Sequence, residues 1–184
     1  FVPANAAIVQ NTNNVEAPQV DTATPTGTAT ATPAPKCVGT LACDGIVDQS
    51  QVGDGSCNGN YACQHTSPYT GTIGAGSCIG FGACGDAAGS IGAGSCIGNV
   101  ACDHAAGLIG AGSCTIAGAC QYASGTIGAG SCKGAQACQQ AAGSISNGSC
   151  NNTYACFKAV GPIGAGSCIG YDTCDQAVGP IGAG

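Results

Sequence analysis

The chain has 184 residues, of which 7% are charged and 4% aromatic; it lacks Trp and Met, contains 33 Gly, and carries a formal net charge of −6 with three Lys+Arg. So few large apolar side chains exclude a conventional globular core, and stability has to come from backbone ladders, stacked small residues and covalent bonds. The acidic balance argues against nucleic acid or an anionic membrane as partner, and no apolar run is long enough to span a bilayer.

Residues 1–20 are read as an extended N-terminal segment. Its apolar patch, Ala6, Ala7, Ile8 and Val9, is a candidate inter-subunit strand. The chain opens at Phe1 with no signal peptide in view, as a processed protein would. Residues 21–36, DTATPTGTATATPAPK, form a Thr/Ala/Pro-rich linker. That composition favours extended chain and resembles O-glycosylated stalks, which makes Thr22, Thr24, Thr26, Thr28, Thr30 and Thr32 candidate acceptors. A plain disordered linker is the alternative.

From residue 37 to 184 the sequence repeats. Sixteen cysteines fall into eight C-x5-C pairs: Cys37 and Cys43, Cys57 and Cys63, Cys78 and Cys84, Cys96 and Cys102, Cys114 and Cys120, Cys132 and Cys138, Cys150 and Cys156, Cys168 and Cys174. Successive pairs start 20, 21, 18, 18, 18, 18 and 18 residues apart. A repeat this short cannot bury an apolar face alone, so it has to stack on itself. An even Cys count in constant pairs points to disulfides and an oxidising compartment, hence an extracellular or cell-surface location. Zinc ligands prefer closer Cys spacing with His nearby, so no metal and no cofactor is expected.

The strict part runs I-G-A-G-S-C-I-G-x-x-A-C-x-x-A-x-G-x. Ile recurs from Ile73 to Ile181 and Ser from Ser77 to Ser167. Gly at several positions per repeat costs about 1 kcal/mol apiece inside a helix. The expected fold is therefore all-β: a disulfide-laddered β-solenoid of about eight 18-residue coils with an extended N-terminal tail. The final half-coil, with Ile181 and Gly182, is expected to offer unpaired edge groups for assembly.

Two families resemble this repeat. Residues 73–84, IGAGSCIGFGAC, resemble the hexapeptide repeat of left-handed parallel β-helices, which also make 18-residue coils. The string C-x5-C-x2-A, as in Cys78, Cys84 and Ala87, resembles the coils of beetle hyperactive antifreeze proteins, here with six residues inserted per coil. The second resemblance implies a disulfide within each C-x5-C pair, across a thin core. In a regular triangular prism those Cys would stand about 9 Å apart, beyond the 7 Å or so that a disulfide spans, so such pairing implies a flattened coil. Pairing between stacked coils, such as Cys78 with Cys96, stays open as the alternative.

For chemistry the sequence offers little. The antifreeze resemblance implies outward residues flanking the first Cys, which here are Ser77 and Ile79, Ser95 and Ile97, Ser113 and Thr115 and their successors. That second column mixes Ile, Thr, Lys and Asn, so the paired-Thr lattice is missing. The hexapeptide resemblance implies acyltransferases with a catalytic His, but His65 and His104 are isolated and no enzyme activity is expected. Asp44, Asp48, Asp54, Asp86, Asp103, Asp172 and Asp175 form no calcium-type column. Two sequons make Asn147 and Asn151 candidate N-glycosylation sites. The expected function is an extracellular structural protein, the self-assembling subunit of a surface filament, with another copy of itself and glycans as partners. The alternative is an ice-binding or glycan-binding solenoid.

Overall fold

The computed structural model describes residues 32–65 and 69–184. The expected strand at Ala6, Ala7, Ile8 and Val9, and Thr22, Thr24, Thr26, Thr28 and Thr30, lie outside the described residues. The chain divides into Phe1–Thr32 and Pro33–Gly184, and the second unit carries every Cys. Within the second unit, Lys36 pairs with Asp54 at 3.4 Å and Gly55 N donates to Ala34 O at 3.3 Å.

Among the described residues there is almost no helix. One 3-10 turn, Gln49–Gln51, is capped by Asp48, whose side chain accepts from Ser50 N at 2.8 Å. The rest is turns and bends, crossed by single parallel bridges between successive repeats. Val52 bridges Ile73, Ile73 bridges Ile91, and the column continues at each Ile to Ile181. Around Ile91 the bonds run from its N to Thr72 O and from Gly74 N to Ile91 O, both 2.8 Å. Equivalent bonds surround Ile109, from its N to Ser90 O at 3.0 Å and from Gly92 N to its O at 2.8 Å. Each repeat thus lies in parallel register on the next, but no sheet forms.

The reason is left-handed backbone. In the repeat around Cys96, φ is positive at Gly94, Cys96, Gly98, Val100 and His104. A strand needs an uninterrupted run of extended residues, and these interrupt it every few positions. A second bridge column, Val38–Asn58–Ile79–Ile97, ends there. Up to that point the residue after each bridge is Gly39, Gly59, Gly80 or Gly98, with φ of 121° to 147°. A Cβ on Gly39 would stand 2.5 Å from Gly59 O. In the next repeat Ile116 takes this place; it cannot adopt that conformation, and no further bridge forms in the column.

All eight disulfides lie within C-x5-C pairs, with Cα–Cα separations of 5.4 to 5.7 Å, and no Cys is free. Bonding between stacked repeats does not occur. The core is a set of columns rather than a centre: in one repeat Ile91, Ser95, Cys96, Ala101, Cys102 and Ala105 are all buried.

The Ser column differs from the outward array that the antifreeze resemblance implied. Ser77, Ser95, Ser113, Ser131 and Ser149 are fully buried. Neighbouring side chains of a strand point to opposite faces, but each first Cys has φ near 55°, as at Cys78 and Cys114, and both Ser and Cys are buried. There the hydroxyls form a ladder. Ser113 Oγ donates to Gly128 O at 2.8 Å and accepts from Ser131 N at 3.2 Å, while Ser113 N donates to Ser95 Oγ at 3.2 Å. The hydroxyls from Ser56 through Ser131 donate and accept in the same way, and Ser149 Oγ donates to Gly164 O at 2.7 Å. A buried hydroxyl that both donates and accepts leaves nothing unpaired.

Candidate functional site

Stacking in register places residues one repeat apart side by side, and at one corner this gathers most of the polar chemistry. His104 Nδ1 lies 2.9 Å from Asp103 Oδ1. Its Nε2 lies 3.8 Å from Oδ2 of Asp86, which occupies the same position one repeat earlier. Asp103 Oδ2 accepts from Gln121 Nε2 at 3.1 Å, and Gln121 Oε1 accepts from Gln139 Nε2 at 2.8 Å. The Tyr122 ring packs against His104 with centroids 5.1 Å apart. Asp86 and His104 both sit in left-handed turns, which direct this column away from the core.

Beside them opens a cleft of about 400 Å³, lined by Tyr61, Phe81, Val100, Asp86, Asp103 and His104, among others. Tyr61 and Phe81 meet edge to face at 5.5 Å and supply aromatic lining to the cleft. The neighbouring His65 is buried and stacks on Tyr69 at 4.5 Å. Burial pushes its pKa below the ordinary imidazole value, with the Asp86 charge pulling the other way. Burial also raises the Tyr69 phenol to about 12.

His104 therefore is not the isolated side chain that its sequence neighbours suggest. Its second carboxylate is 18 residues away, one period back, so the repeat itself held the missing signal. The remaining candidates stand apart. Thr32 is exposed. Asn147 is exposed and its Oδ1 accepts from Ala129 N at 2.9 Å. Asn151 is held at both amide atoms, donating to Gly148 O at 2.9 Å and accepting from Lys133 N at 3.3 Å, so Asn147 is the better presented sequon. Ile181 bridges Ile163, and Gly182 beside it is exposed. Sulfurs of Cys114, Cys120 and Cys132 lie within 4.8 Å of one another, as do those of Cys150, Cys156 and Cys168. All are oxidised, and a disulfide supplies no thiolate for a metal.

Among the described residues no helix is long and apolar enough to cross a membrane. No curated protein and no solved structure matches the chain. The family model described as Domain of unknown function (DUF7640) matches residues 16–137 and 109–184, overlapping spans that together cover most of the sequence. The chain belongs to that family.

Proposed function

We propose that residues 37–184 form a β-solenoid that serves as an extracellular structural protein and assembles end to end with further copies of itself. The observation that carries this reading is the constant register of stacking. From Ile73 onward successive repeats meet through recurring bonds one period apart, such as Gly74 N to Ile91 O and Gly92 N to Ile109 O, so each strict repeat presents an equivalent Ile-column edge to whatever stacks on it. A contact of this head-to-tail kind does not close, and it propagates into a fibre. The core columns reach the terminal repeats partly uncovered: Cys37 and Cys43 in one, Cys168, Cys174, Ala177 and Ile181 in the other. Large apolar side chains are exposed there too, among them Val47 at 81% and Val178 at 78%. Eight disulfides favour an oxidising, extracellular setting. In this reading residues 1–20 add a strand to a neighbouring subunit, and the Thr-rich linker carries glycans.

The ice-binding alternative loses its principal match, because the Ser column is buried. The test is electron microscopy and sedimentation of the oxidised full-length chain. Concentration-dependent fibres that disappear on Ile181→Asp support the reading. A monomer at all concentrations, or fibres indifferent to that substitution, would sink it.

A further inference from the structure

We infer that the first repeat has a divided edge: residues 33–36 are closed to the hydrogen bonding of a further repeat, and residues 38–45 receive the backbone carbonyls of a second copy of this chain. The inference rests on the self-assembly reading and names the part of the first repeat that forms the junction.

In sequence, residues 33–36 continue the Pro-rich linker, yet they hold the place of a rung. Gly55 N donates to Ala34 O at 3.3 Å, as Gly76 N does to Asp54 O at 2.9 Å and Gly94 N to Ala75 O at 3.0 Å. Cys37 N donates to Ser56 O at 3.1 Å, the bond that Cys57 N makes to Ser77 O. In this register Pro35 stands where later repeats have Gly55, Gly76 and Gly94, the residue whose N–H reaches back to the preceding repeat. Proline has no N–H, so that donor is missing from the one repeat with no Cys pair before it. Lys36 stands where later repeats have Ser. The Ser ladder therefore begins at Ser56, whose N turns to Gly53 O at 3.3 Å, while the Lys36 ammonium pairs with Asp54 at 3.4 Å. Pro and Lys are residues that keep strand edges from pairing with another chain.

Residues 38–45 carry no such device. In the second repeat Gly59, Tyr61, Cys63 and His65 donate their N–H groups back to Val38, Thr40, Ala42 and Asp44 at 2.7 to 2.8 Å. The set recurs one repeat on, as from Gly80 N to Asn58 O at 2.9 Å and from Cys84 N to Ala62 O at 2.7 Å. The donors at these places in the first repeat are Gly39, Leu41, Cys43 and Gly45, and among the described residues none of the four has a backbone acceptor. An open row of this kind is a template for another strand. Donors at alternate residues call for carbonyls at the same spacing, and a repeat of this chain carries that set. Burial points the same way: Cys57 and Cys63 are fully buried beneath the first repeat, whereas Cys37 and Cys43 are only partly covered. A second copy seated on residues 38–45 completes both.

The test is amide hydrogen exchange of the oxidised full-length chain, read at Gly39, Leu41, Cys43 and Gly45 in dilute monomer and in fibres. Pro35→Gly combined with Lys36→Ser is run beside it, since it restores the residues of the later repeats ahead of the first disulfide. The four amides should exchange freely in the monomer and at least about 10-fold more slowly in the fibre. The doubly substituted chain should form fibres at a concentration about fivefold lower, the factor that one added hydrogen bond supplies. Fibres whose four amides exchange as in the monomer, amides already protected in the monomer, or an unchanged threshold in the substituted chain overturn this inference and leave end-to-end assembly standing. A chain that stays monomeric at every concentration sinks the assembly reading, and this inference with it.

Discussion

The two irregular repeats at residues 37–70 and the strict repeats after them use the same columns, yet they satisfy their polar groups differently. The buried side-chain atoms left without a hydrogen-bond partner among the described residues are Gln51 Oε1, Asn58 Oδ1 and His65 Nε2, all in the irregular part. The 3-10 turn and the buried His65–Tyr69 stack lie there as well. The irregular repeats are spaced by 20 and 21 residues, whereas a spacing of 18 returns the donors of the Ile column and of the Ser ladder to equivalent acceptors. In the strict part the Ser hydroxyls close the account in each repeat. Exact repetition is therefore a means of pairing buried groups without a large core.

The largest expected effect comes from removing what both regions share. By chain entropy each short loop closed by a disulfide contributes about 2–3 kcal/mol, and there are eight of them. Full reduction should abolish cooperative thermal unfolding in both regions; a reduced chain that retains its melting transition would show that the ladders suffice alone.

Next in size is the aliphatic column. Ile127→Ala, in the strict region, should cost about 2–5 kcal/mol by denaturant unfolding. Val52→Ala, in the irregular region, removes less side chain and should cost less. Equal losses would mean that the two regions pack alike.

The hydroxyl ladder comes third. Ser113→Ala strands Gly128 O and Ser131 N, and should cost about 1–3 kcal/mol. A neutral result would show that the ladder fills space rather than bonds.

Smaller and opposite in sign is Val100→Asn. Val100 has φ 49°, which disfavours a β-branched residue, while Gly82 and Gly118 fill the same place in adjacent repeats. Asn should raise stability by about 1 kcal/mol, read as a higher melting temperature.

The smallest effect concerns His65. Its folded pKa lies below the ordinary 6.5, so protonation favours the unfolded chain. The contribution of the neutral ring is complete above pH 6.5 and is lost as pH falls below it. An NMR titration should give His65 an apparent pKa under 6.5; a value above would mean that the Asp86 charge outweighs the burial of the ring.

Much of the ladder was legible in the sequence, because Cys spacing and the Ile period report directly on stacking. Two features were not. The inward turn of Ser depends on the left-handed conformation of the next residue, and Cys gives no warning of it, since positive φ is ordinarily a mark of Gly or Asn. The absence of sheet has the same cause. The Asp86–His104 contact was hidden differently, because reading neighbours along the chain overlooks a partner one period away.

The central claim is that each repeat is closed by its own disulfide and stacked in parallel on the next. Mass mapping of proteolytic fragments without reduction tests it most directly, resolved repeat by repeat. The account predicts Cys78 joined to Cys84, Cys96 to Cys102 and Cys114 to Cys120, with no free thiol. A bond from Cys78 to Cys96 would contradict it.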